Sequence, residues 1–327
     1  MIFCYNLNEE KKVQIMDYYF GVDIGGTTVK IGLLNEKEKL VDKWEIKTNT
    51  ENNGASILKD VADSIKGYLE EKKISKEQIK GIGFGVPGPI VGTYVKKCVN
   101  LGWENTDVKE EFLKYIDFEP NIVVLNDANA AAYGETMKGS TGKHQNAVML
   151  TLGTGVGGGI VVNGFPIIGV NGAAGEFGHA KVDNIYNFRC GCGRFGCLET
   201  VASATGVVRI FKRLLEDNPS SLTGKQDISC KDVFNAAKAN DALALRAVDE
   251  VGRYLGLACS YLAATVDPEI FIIGGGVSRA GQILLDAIEE NYQKYSIVIT
   301  RKTNFALASL GNDGGMIGAA LLSKNSQ

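Results

Sequence analysis

The sequence contains little histidine, little proline, no excess of positive charge and no long apolar run. Only two of its 327 residues are histidine, six are proline, and the formal net charge at pH 7 is -3. Without a basic excess, the chain lacks the electrostatic footprint of proteins that bind nucleic acid or anionic lipid. No apolar run approaches the ~18 residues of a membrane-spanning helix. We therefore expect no nucleic-acid partner and no membrane partner.

The common nucleotide-binding fingerprints are absent or out of context. The chain has no GxxxxGK[ST] loop, the phosphate grip of many ATPases. Gly153-x-Gly155-x-x-Gly158 fits the dinucleotide pattern, but it leads into a segment typical of a strand, whereas the fingerprint requires a helix. The sequence therefore gives no support for a nicotinamide enzyme.

Cysteine is sparse outside one short segment. The chain has seven cysteines, an odd number, and three of them lie within 190–197. The sequence shows no secretory signal, so we expect the other four to be free thiols in a reducing, cytoplasmic compartment. The length and the 45% of hydrophobic residues allow a large core and two domains.

The densest group of chemically active side chains lies between Glu176 and Glu199. One histidine and three cysteines there offer a nitrogen and three sulfurs, a set that suits a closed tetrahedral zinc site: His179, Cys190, Cys192 and Cys197. The alternative is four unrelated residues with a stray disulfide, which the tight Cys-Gly-Cys spacing argues against. We predict a structural zinc site. The two glutamates are then either surface residues or rigidly held acceptors for sugar hydroxyls.

Two glycine- and threonine-rich turns join similar pairs of predicted strands. The first turn, GGTT at 25–28, lies between strands predicted at 18–23 and 29–34. The second turn, within TLGTGVGG at 151–158, lies between strands at 146–152 and 159–163. Backbone N–H groups in such turns can point at an anion. The likeness predicts a duplicated fold with one phosphate-binding hairpin in each half, rather than two ordinary hairpins.

Periodicity predicts the remaining elements. The predicted helices are 54–72, 128–138, 203–216, 230–238, 241–265, 280–294 and 314–323. The other predicted strands are 40–48, 79–85, 122–125, 268–273 and 297–309. Residues 1–16 show no clear period, and we interpret them as an N-terminal extension, either outside the folded core or forming an ordered arm.

Asn126 and Asp127 follow a short buried strand, where open α/β sheets bind ligands. A carboxylate there is placed to accept a proton from a hydroxyl that attacks phosphorus. The alternative is that the pair only caps the following helix, and both interpretations stand. Asp23, at the end of the first strand, is placed to hold Mg²⁺ through water.

Together these motifs resemble the ROK family of bacterial sugar kinases and repressors, over residues 18–322. The most specific part is Glu176-x-Gly-His179 followed by the cysteine segment that ends at Glu199. Four further motifs fall in the family's order: DIGGT (23–27), NDANAAA (126–132), LGTGVGGG (152–159) and IIGGGVS (272–278). The run LETVASATGVVR at 198–209 is similar to the family's glucokinases from Gram-positive bacteria.

The resemblance implies an α/β fold of the actin-like, hexokinase type (ribonuclease H-like). In this fold two lobes enclose an active-site cleft, and a zinc-binding loop is inserted. We expect residues 17–125 and 310–327 to form a small N-terminal lobe. Residues 126–309 would form the large lobe, with the dimerisation and zinc-binding segment. The resemblance also implies a homodimer or a dimer of dimers.

The resemblance further implies phosphorylation of glucose at its 6-hydroxyl by ATP and Mg²⁺, with Asp127 as general base. The sugar-binding residues that it implies are Asn100, Asn126, Asp127, Glu176, His179 and Glu199. The nucleotide-binding residues are Asp23, Gly25, Gly26, Thr27, Thr28, Thr154, Gly155, Gly274, Gly275 and Gly276. Two alternatives remain: a kinase for another sugar, such as N-acetylmannosamine, fructose or allose, and a sugar-sensing regulator without catalysis.

Overall fold

A computed structural model describes residues 16–216 and 218–326 of the chain. The predicted N-terminal extension, apart from Met16, lies outside these described residues. The strands are β1 Tyr18–Ile24, β2 Thr28–Asn35, β3 Leu40–Lys47, β4 Ile79–Val86, β5 Ile90–Val91, β6 Tyr94–Cys98, β7 Trp103–Asp107, β8 Asn121–Asn126, β9 Ala147–Leu152, β10 Val156–Val162, β11 Phe165–Pro166, β12 Ile270–Gly274 and β13 Asn304–Leu307. The α-helices are α1 Glu51–Gly54, α2 Ile57–Lys72, α3 Val108–Leu113, α4 Asp127–Lys138, α5 Leu198–Ala202, α6 Ala204–Leu215, α7 Cys230–Lys238, α8 Ala242–Val266, α9 Gln282–Tyr295 and α10 Gly314–Asn325.

Two five-stranded sheets with the same topology form the frame of the molecule. Their strand orders are β3-β2-β1-β4-β8 and β11-β10-β9-β12-β13. In each sheet three consecutive strands form an antiparallel meander, and two later strands add in parallel on the other side. The duplication predicted from the two glycine-rich turns is therefore confirmed, because each turn joins the first two strands of one sheet.

The position of each strand in the sheet explains its sequence pattern. Five of the seven residues of the central strand β1 are buried, and it reads as an apolar run interrupted by Asp23, because helices cover both faces of the sheet. The edge strand β3 instead alternates between half-buried and exposed residues. A third, small sheet of β5, β6 and β7 follows Pro89. Its strands of two to five residues give too weak a pattern to be predicted.

Helices α4 and α10 cross one another between the two sheets. Each follows the last strand of one sheet, and α10 packs on β1 and β4 while α4 packs on β10. The helices approach so closely that a Cβ on Gly318 would lie 1.8 Å from the Ala130 carbonyl oxygen, and one on Gly134 would lie 2.2 Å from the Gly314 oxygen. Side chains are thus excluded from the helix crossing.

One predicted strand is wrong over most of its length. Residues 297–309 contain a 3₁₀ turn at Val298–Lys302, and only Asn304–Leu307 pair as a strand. The buried Tyr292 hydroxyl donates a hydrogen bond to the Thr300 carbonyl at 2.6 Å and holds this turn. The β-branched residues there resemble a strand in sequence, but tertiary contacts override that preference. Within the part of the chain that the structure describes, no helix is long and apolar enough to cross a bilayer.

Candidate active site and metal centre

The four predicted metal ligands converge in space. The ligand atoms of His179, Cys190, Cys192 and Cys197 all lie within 4.8 Å of one another. The Cys192 and Cys197 sulfurs are 3.7 Å apart, and His179 Nδ1 lies 3.6 Å from the Cys190 sulfur. Tetrahedral geometry with ordinary zinc bond lengths requires about 3.8 Å between two sulfurs and about 3.6 Å between a sulfur and a nitrogen. The donor set therefore fits a tetrahedral zinc ion.

A tight turn brings the cysteines together. The Cys190 N–H donates to the Arg194 carbonyl at 2.8 Å, and the Gly193 N–H donates back to the Cys190 carbonyl at 3.0 Å. Gly193 adopts a φ of 87°, which disfavours any other residue. Hydrogen bonds from the Arg194 backbone and side chain lower the pKa of Cys192 to about 6, whereas burial raises that of Cys197 to about 12. A bound cation would favour the thiolate form of each.

The two glutamates that flank the ligands point in different directions. Glu176 is exposed, and its carboxylate lies 3.9 Å from His179 Nε2, whereas the other ring nitrogen, Nδ1, contacts the Cys190 sulfur. Glu199 instead accepts the backbone N–H of Val156 through Oε2 at 3.2 Å, and its Oε1 accepts the Cys190 thiol at 3.6 Å. Glu199 therefore joins the cluster of candidate metal ligands to the second glycine-rich turn, a contact that the sequence did not predict.

Asn126 caps helix α4, as the alternative interpretation predicted. Its Oδ1 accepts the backbone N–H groups of Ala128 and Asn129, at 2.9 and 3.4 Å, and its Nδ2 donates to the Gly88 carbonyl at 3.1 Å. Asp127 is the first residue of the helix, and its Oδ1 also accepts the Ala128 N–H, at 2.8 Å. The cap thus holds the Asp127 carboxylate at the carboxyl end of β8.

Asp23 lies close enough to Asp127 for the negative charge of Asp127 to raise its pKa. Burial raises the pKa of Asp127. Burial, and then the negative charge of Asp127, raise the pKa of Asp23 to about 6, while Lys30 acts in the opposite direction. The Asp23 carboxylate also lies against the first turn of α10, since a Cβ on Gly315 would be 3.2 Å from its Oδ2. Two such carboxylates suit a hard divalent cation such as Mg²⁺, and a carboxylate of raised pKa suits a general base.

The first glycine-rich turn lies beside Asn100. The Gly25 N–H donates to the Thr28 carbonyl at 3.0 Å, while Gly26 and Thr27 are exposed at its tip. A Cβ on Gly26 would lie 3.6 Å from that of Asn100, which is also exposed. The predicted phosphate-binding residues and one predicted sugar-binding residue therefore adjoin each other.

The second turn is held by α6 and by the glycines that follow β12. The Ala204 N–H donates to the Gly153 carbonyl at 2.8 Å, and Thr154 is exposed at the tip of the turn. Gly275, which lies between Gly274 and Gly276, has a φ of 83°. A Cβ there would lie 2.4 Å from the Leu152 carbonyl oxygen. Only glycine fits this close approach to the end of β9.

A cavity of about 420 Å³ lies next to this second turn, between α7 and the residues after β12. Phe234, Val277 and Ala280 give it an apolar wall. Its other lining residues are Ala204, Cys230, Lys231, Asn235, Lys238, Gly276 and Arg279. Apart from Gly276, the sequence had not singled out these residues, since an amphipathic helix gives no signal for a pocket. A larger groove of about 640 Å³ between α2 and residues 114–118 contains none of the predicted site residues.

The predicted residues form two neighbouring groups. One contains Asp23, Asn126, Asp127 and Asn100 with the first turn. The other contains the four candidate metal ligands, Glu176, Glu199, the second turn and the glycines at the end of β12. The groups meet where a Cβ on Gly157 would lie 3.5 Å from that of Ala128.

Two further buried carboxylates, those of Asp183 and Glu135, support this arrangement. The buried Asp183 carboxylate accepts the Tyr254 hydroxyl at 2.7 Å and the N–H groups of Ile185, Tyr186 and Asn187. Buried Glu135 accepts the backbone of Ser309 and Leu310 and so ties α4 to the segment before α10. His144 lies in the polar stretch Lys143-His144-Gln145, which predicts a solvated surface side chain, and this prediction is wrong. Its side chain is only 19% exposed, and its Nδ1 lies 3.0 Å from a Glu269 carboxylate oxygen.

Comparison with known proteins identifies the family. The model of the ROK family matches residues 19–326. A glucokinase of Halalkalibacterium halodurans is 43% identical over 318 residues, which cover 95% of this chain and 96% of that protein. A glucokinase of Thermotoga maritima is 36% identical over 313 residues, which cover 93% of this chain and 96% of that protein. The crystal structure of a ROK family glucokinase from Streptomyces griseus, in complex with glucose and AMPPNP, is 31% identical, with a TM-score of 0.68 over 95% of this chain and 99% of that one. The resemblance in the motifs is thereby confirmed, and the chain belongs to the ROK family.

Proposed function

We propose that this protein is a glucokinase that transfers the γ-phosphoryl group of ATP to the 6-hydroxyl of glucose and feeds glycolysis. The observation that carries the proposal is the half-buried Asp127 carboxylate, fixed at the carboxyl end of β8 close enough to Asp23 to raise its pKa. The full-length similarity to proteins named glucokinase supports the choice of sugar.

The Asp127 carboxylate would accept the proton of the 6-hydroxyl as that oxygen attacks the γ-phosphorus. Burial raises its pKa, so the carboxylate is a stronger base than an exposed aspartate. The Asn126 cap fixes the backbone beneath this carboxylate and so maintains its direction toward the hydroxyl. Asn100, Asn126, Glu176, His179 and Glu199 are the proposed partners of the other sugar hydroxyls.

The proposed nucleotide site extends from the two turns to the 420 Å³ cavity. Backbone N–H groups and threonine hydroxyls of the turns (Gly25, Gly26, Thr27, Thr28, Thr154 and Gly155) would bind the phosphates. Adenosine would pass Gly274, Gly275 and Gly276 into the cavity, where its base would contact Phe234. Asp23 would hold Mg²⁺, which neutralises charge on the phosphates.

We propose a structural role for zinc at the four-ligand cluster. Four protein ligands leave no open position for a water nucleophile, so the ion would fix the loop that carries Glu176 and Glu199. We also propose that the protein is a cytoplasmic homodimer or dimer of dimers. Its lobes would comprise residues 17–125 with 310–327, and residues 126–309.

The test is ADP release from Mg-ATP with and without glucose, for the wild type and for Asp127→Asn. The wild type should show glucose-dependent turnover. Asp127→Asn should lose about 10²–10⁴-fold in kcat and retain glucose binding, because the amide keeps the shape but accepts no proton. The matched control is Asp117→Asn at an exposed aspartate paired with Lys76, which should leave kcat unchanged. Near-normal turnover by Asp127→Asn would contradict the assignment of the base.

A sugar panel separates the alternatives. A higher kcat/KM for N-acetylmannosamine, fructose or allose than for glucose would make the protein a kinase of that sugar. Sugar binding without ADP release across the whole panel would instead indicate a sensor.

A further inference from the structure

We propose that Glu199 is a positioning residue that couples the sugar site to the nucleotide site, because its carboxylate competes with a nucleotide phosphate for the second turn. The inference rests on the proposed function, which places sugar hydroxyls near the metal centre and phosphates at this turn.

The carboxylate lies directly against the second turn, which the proposed function assigns to the nucleotide phosphates. Its Oε2 accepts the Val156 N–H at 3.2 Å, and a Cβ on Gly155 would lie 2.3 Å from the same oxygen. A backbone N–H next to a glycine without a side chain is the arrangement that favours a phosphate oxygen. The Val156 N–H cannot donate a full hydrogen bond to both the carboxylate and a phosphate. The two anions would also repel each other if both bound to this N–H.

The metal centre holds the same backbone from two sides. Gly178, which precedes His179, packs so closely that a Cβ there would lie 2.0 Å from the Val156 carbonyl oxygen. Glu199 follows Cys197 by two residues, and its Oε1 accepts the Cys190 thiol at 3.6 Å. The glutamate is therefore held within reach of both the turn and the proposed sugar site.

A sugar that takes the Glu199 oxygens as hydrogen-bond acceptors would free the Val156 N–H for phosphate. The coupling is reciprocal, because a phosphate at the turn equally frees Glu199 for the sugar. Loss of a hydrogen bond between a charged group and a backbone N–H corresponds to about a tenfold to hundredfold change in affinity. Glucose and nucleotide should therefore strengthen each other's binding by about that factor.

The experiment measures the Kd of AMP-PNP with Mg²⁺ by calorimetry, with and without saturating glucose. In the wild type, glucose should lower this Kd about tenfold or more. Glu199→Gln keeps the side-chain shape but removes the charge, so its glucose-free Kd should fall about tenfold and the effect of glucose should nearly vanish. Glu176→Gln is the matched control: it flanks the same metal centre, should weaken glucose binding and should leave the glucose-free Kd unchanged.

A glucose-free Kd in Glu199→Gln that equals or exceeds the wild-type value overturns the inference, because a glutamate that only binds sugar predicts that result. Metal content and melting temperature check the fold of each variant. If the glutamine variant does not fold, Glu199→Asp provides the second test. Its carboxylate is one methylene shorter and cannot reach the Val156 N–H, so its glucose-free Kd should also fall. A wild type that phosphorylates glucose but binds AMP-PNP equally with and without it refutes the coupling and leaves the proposed function standing. A wild type that phosphorylates no hexose contradicts the proposed function, whereas the glucose-free Kd values still test the competition.

Discussion

Replacing Asp23 by asparagine should stabilise the protein while it removes activity. The pKa of Asp23 rises from 3.8 to about 6, first because of burial and then because of the Asp127 charge. The ionised form is therefore less favourable in the folded protein than in the unfolded chain. Asparagine keeps the size of the side chain but cannot ionise, so the variant avoids this cost.

The size and the pH dependence follow from the pKa shift. A shift of about two units, at 1.36 kcal/mol per unit, corresponds to about 3 kcal/mol of unfolding free energy. Between pH 4 and pH 6 the folded state binds more protons than the unfolded chain, so wild-type stability falls as the pH rises through this window. The advantage of Asp23→Asn should be complete at pH 7.5, fall to about half at pH 5 and vanish below pH 4.

The assay is thermal unfolding of the wild type and Asp23→Asn at pH 7.5 and pH 5, without added Mg²⁺, which would pair with the carboxylates. We expect the melting temperature at pH 7.5 to rise by a few degrees and kcat to fall at least a hundredfold. Asp117→Asn, at an exposed site, should change neither. An Asp23→Asn variant that melts at or below the wild-type temperature at pH 7.5, or a gain that does not shrink at pH 5, would refute the electrostatic argument.

Three further predictions follow from named contacts. Cys192→Ser removes one of four converging ligand atoms, so zinc content measured by mass spectrometry should drop and KM for glucose should rise. Full zinc retention would contradict the assigned cluster. Gly275→Ala introduces a Cβ 2.4 Å from the Leu152 oxygen at a φ of 83°; KM for ATP should rise at least tenfold, with a smaller effect on KM for glucose. Asp183→Asn removes the charge and one of the two acceptor oxygens of a buried carboxylate that accepts four hydrogen bonds and should cost about 2–4 kcal/mol of unfolding free energy in urea, whereas a loss below ~0.5 kcal/mol would show that the loop is held otherwise.

The sequence predicted the parts of the site that depend on local spacing. Glycine-rich turns between apolar strands predict hairpins, and a Cys-x-Cys pair near a rare histidine predicts a ligand cluster, because each pattern lies within about twenty consecutive residues. The duplicated sheet topology followed from the likeness of the two turns. These features need no knowledge of distant contacts.

Contacts between distant segments were not predictable. The hydrogen bond between Glu199 and Val156 joins residues 43 positions apart in the sequence, and the contact between His144 and Glu269 joins residues 125 positions apart. Residues 297–309 have the composition of a strand, yet Tyr292 fixes part of them in a 3₁₀ turn. The cavity beside α7 depends on how that helix packs against the residues after β12, which no periodic pattern encodes.

The helix crossing has a consequence for how this architecture tolerates change. Helices α4 and α10 touch through backbone atoms at Gly134, Gly318 and Ala130, so the spacing there does not depend on any rotamer. Substitutions in the loops that line the pockets can alter which ligand is bound without changing the spacing of α4 and α10. The spacing of the two helices that separate the sheets is thus set by main-chain geometry, whereas the pockets are lined by side chains elsewhere. The lining of a pocket can therefore change while the spacing at the helix crossing stays constant.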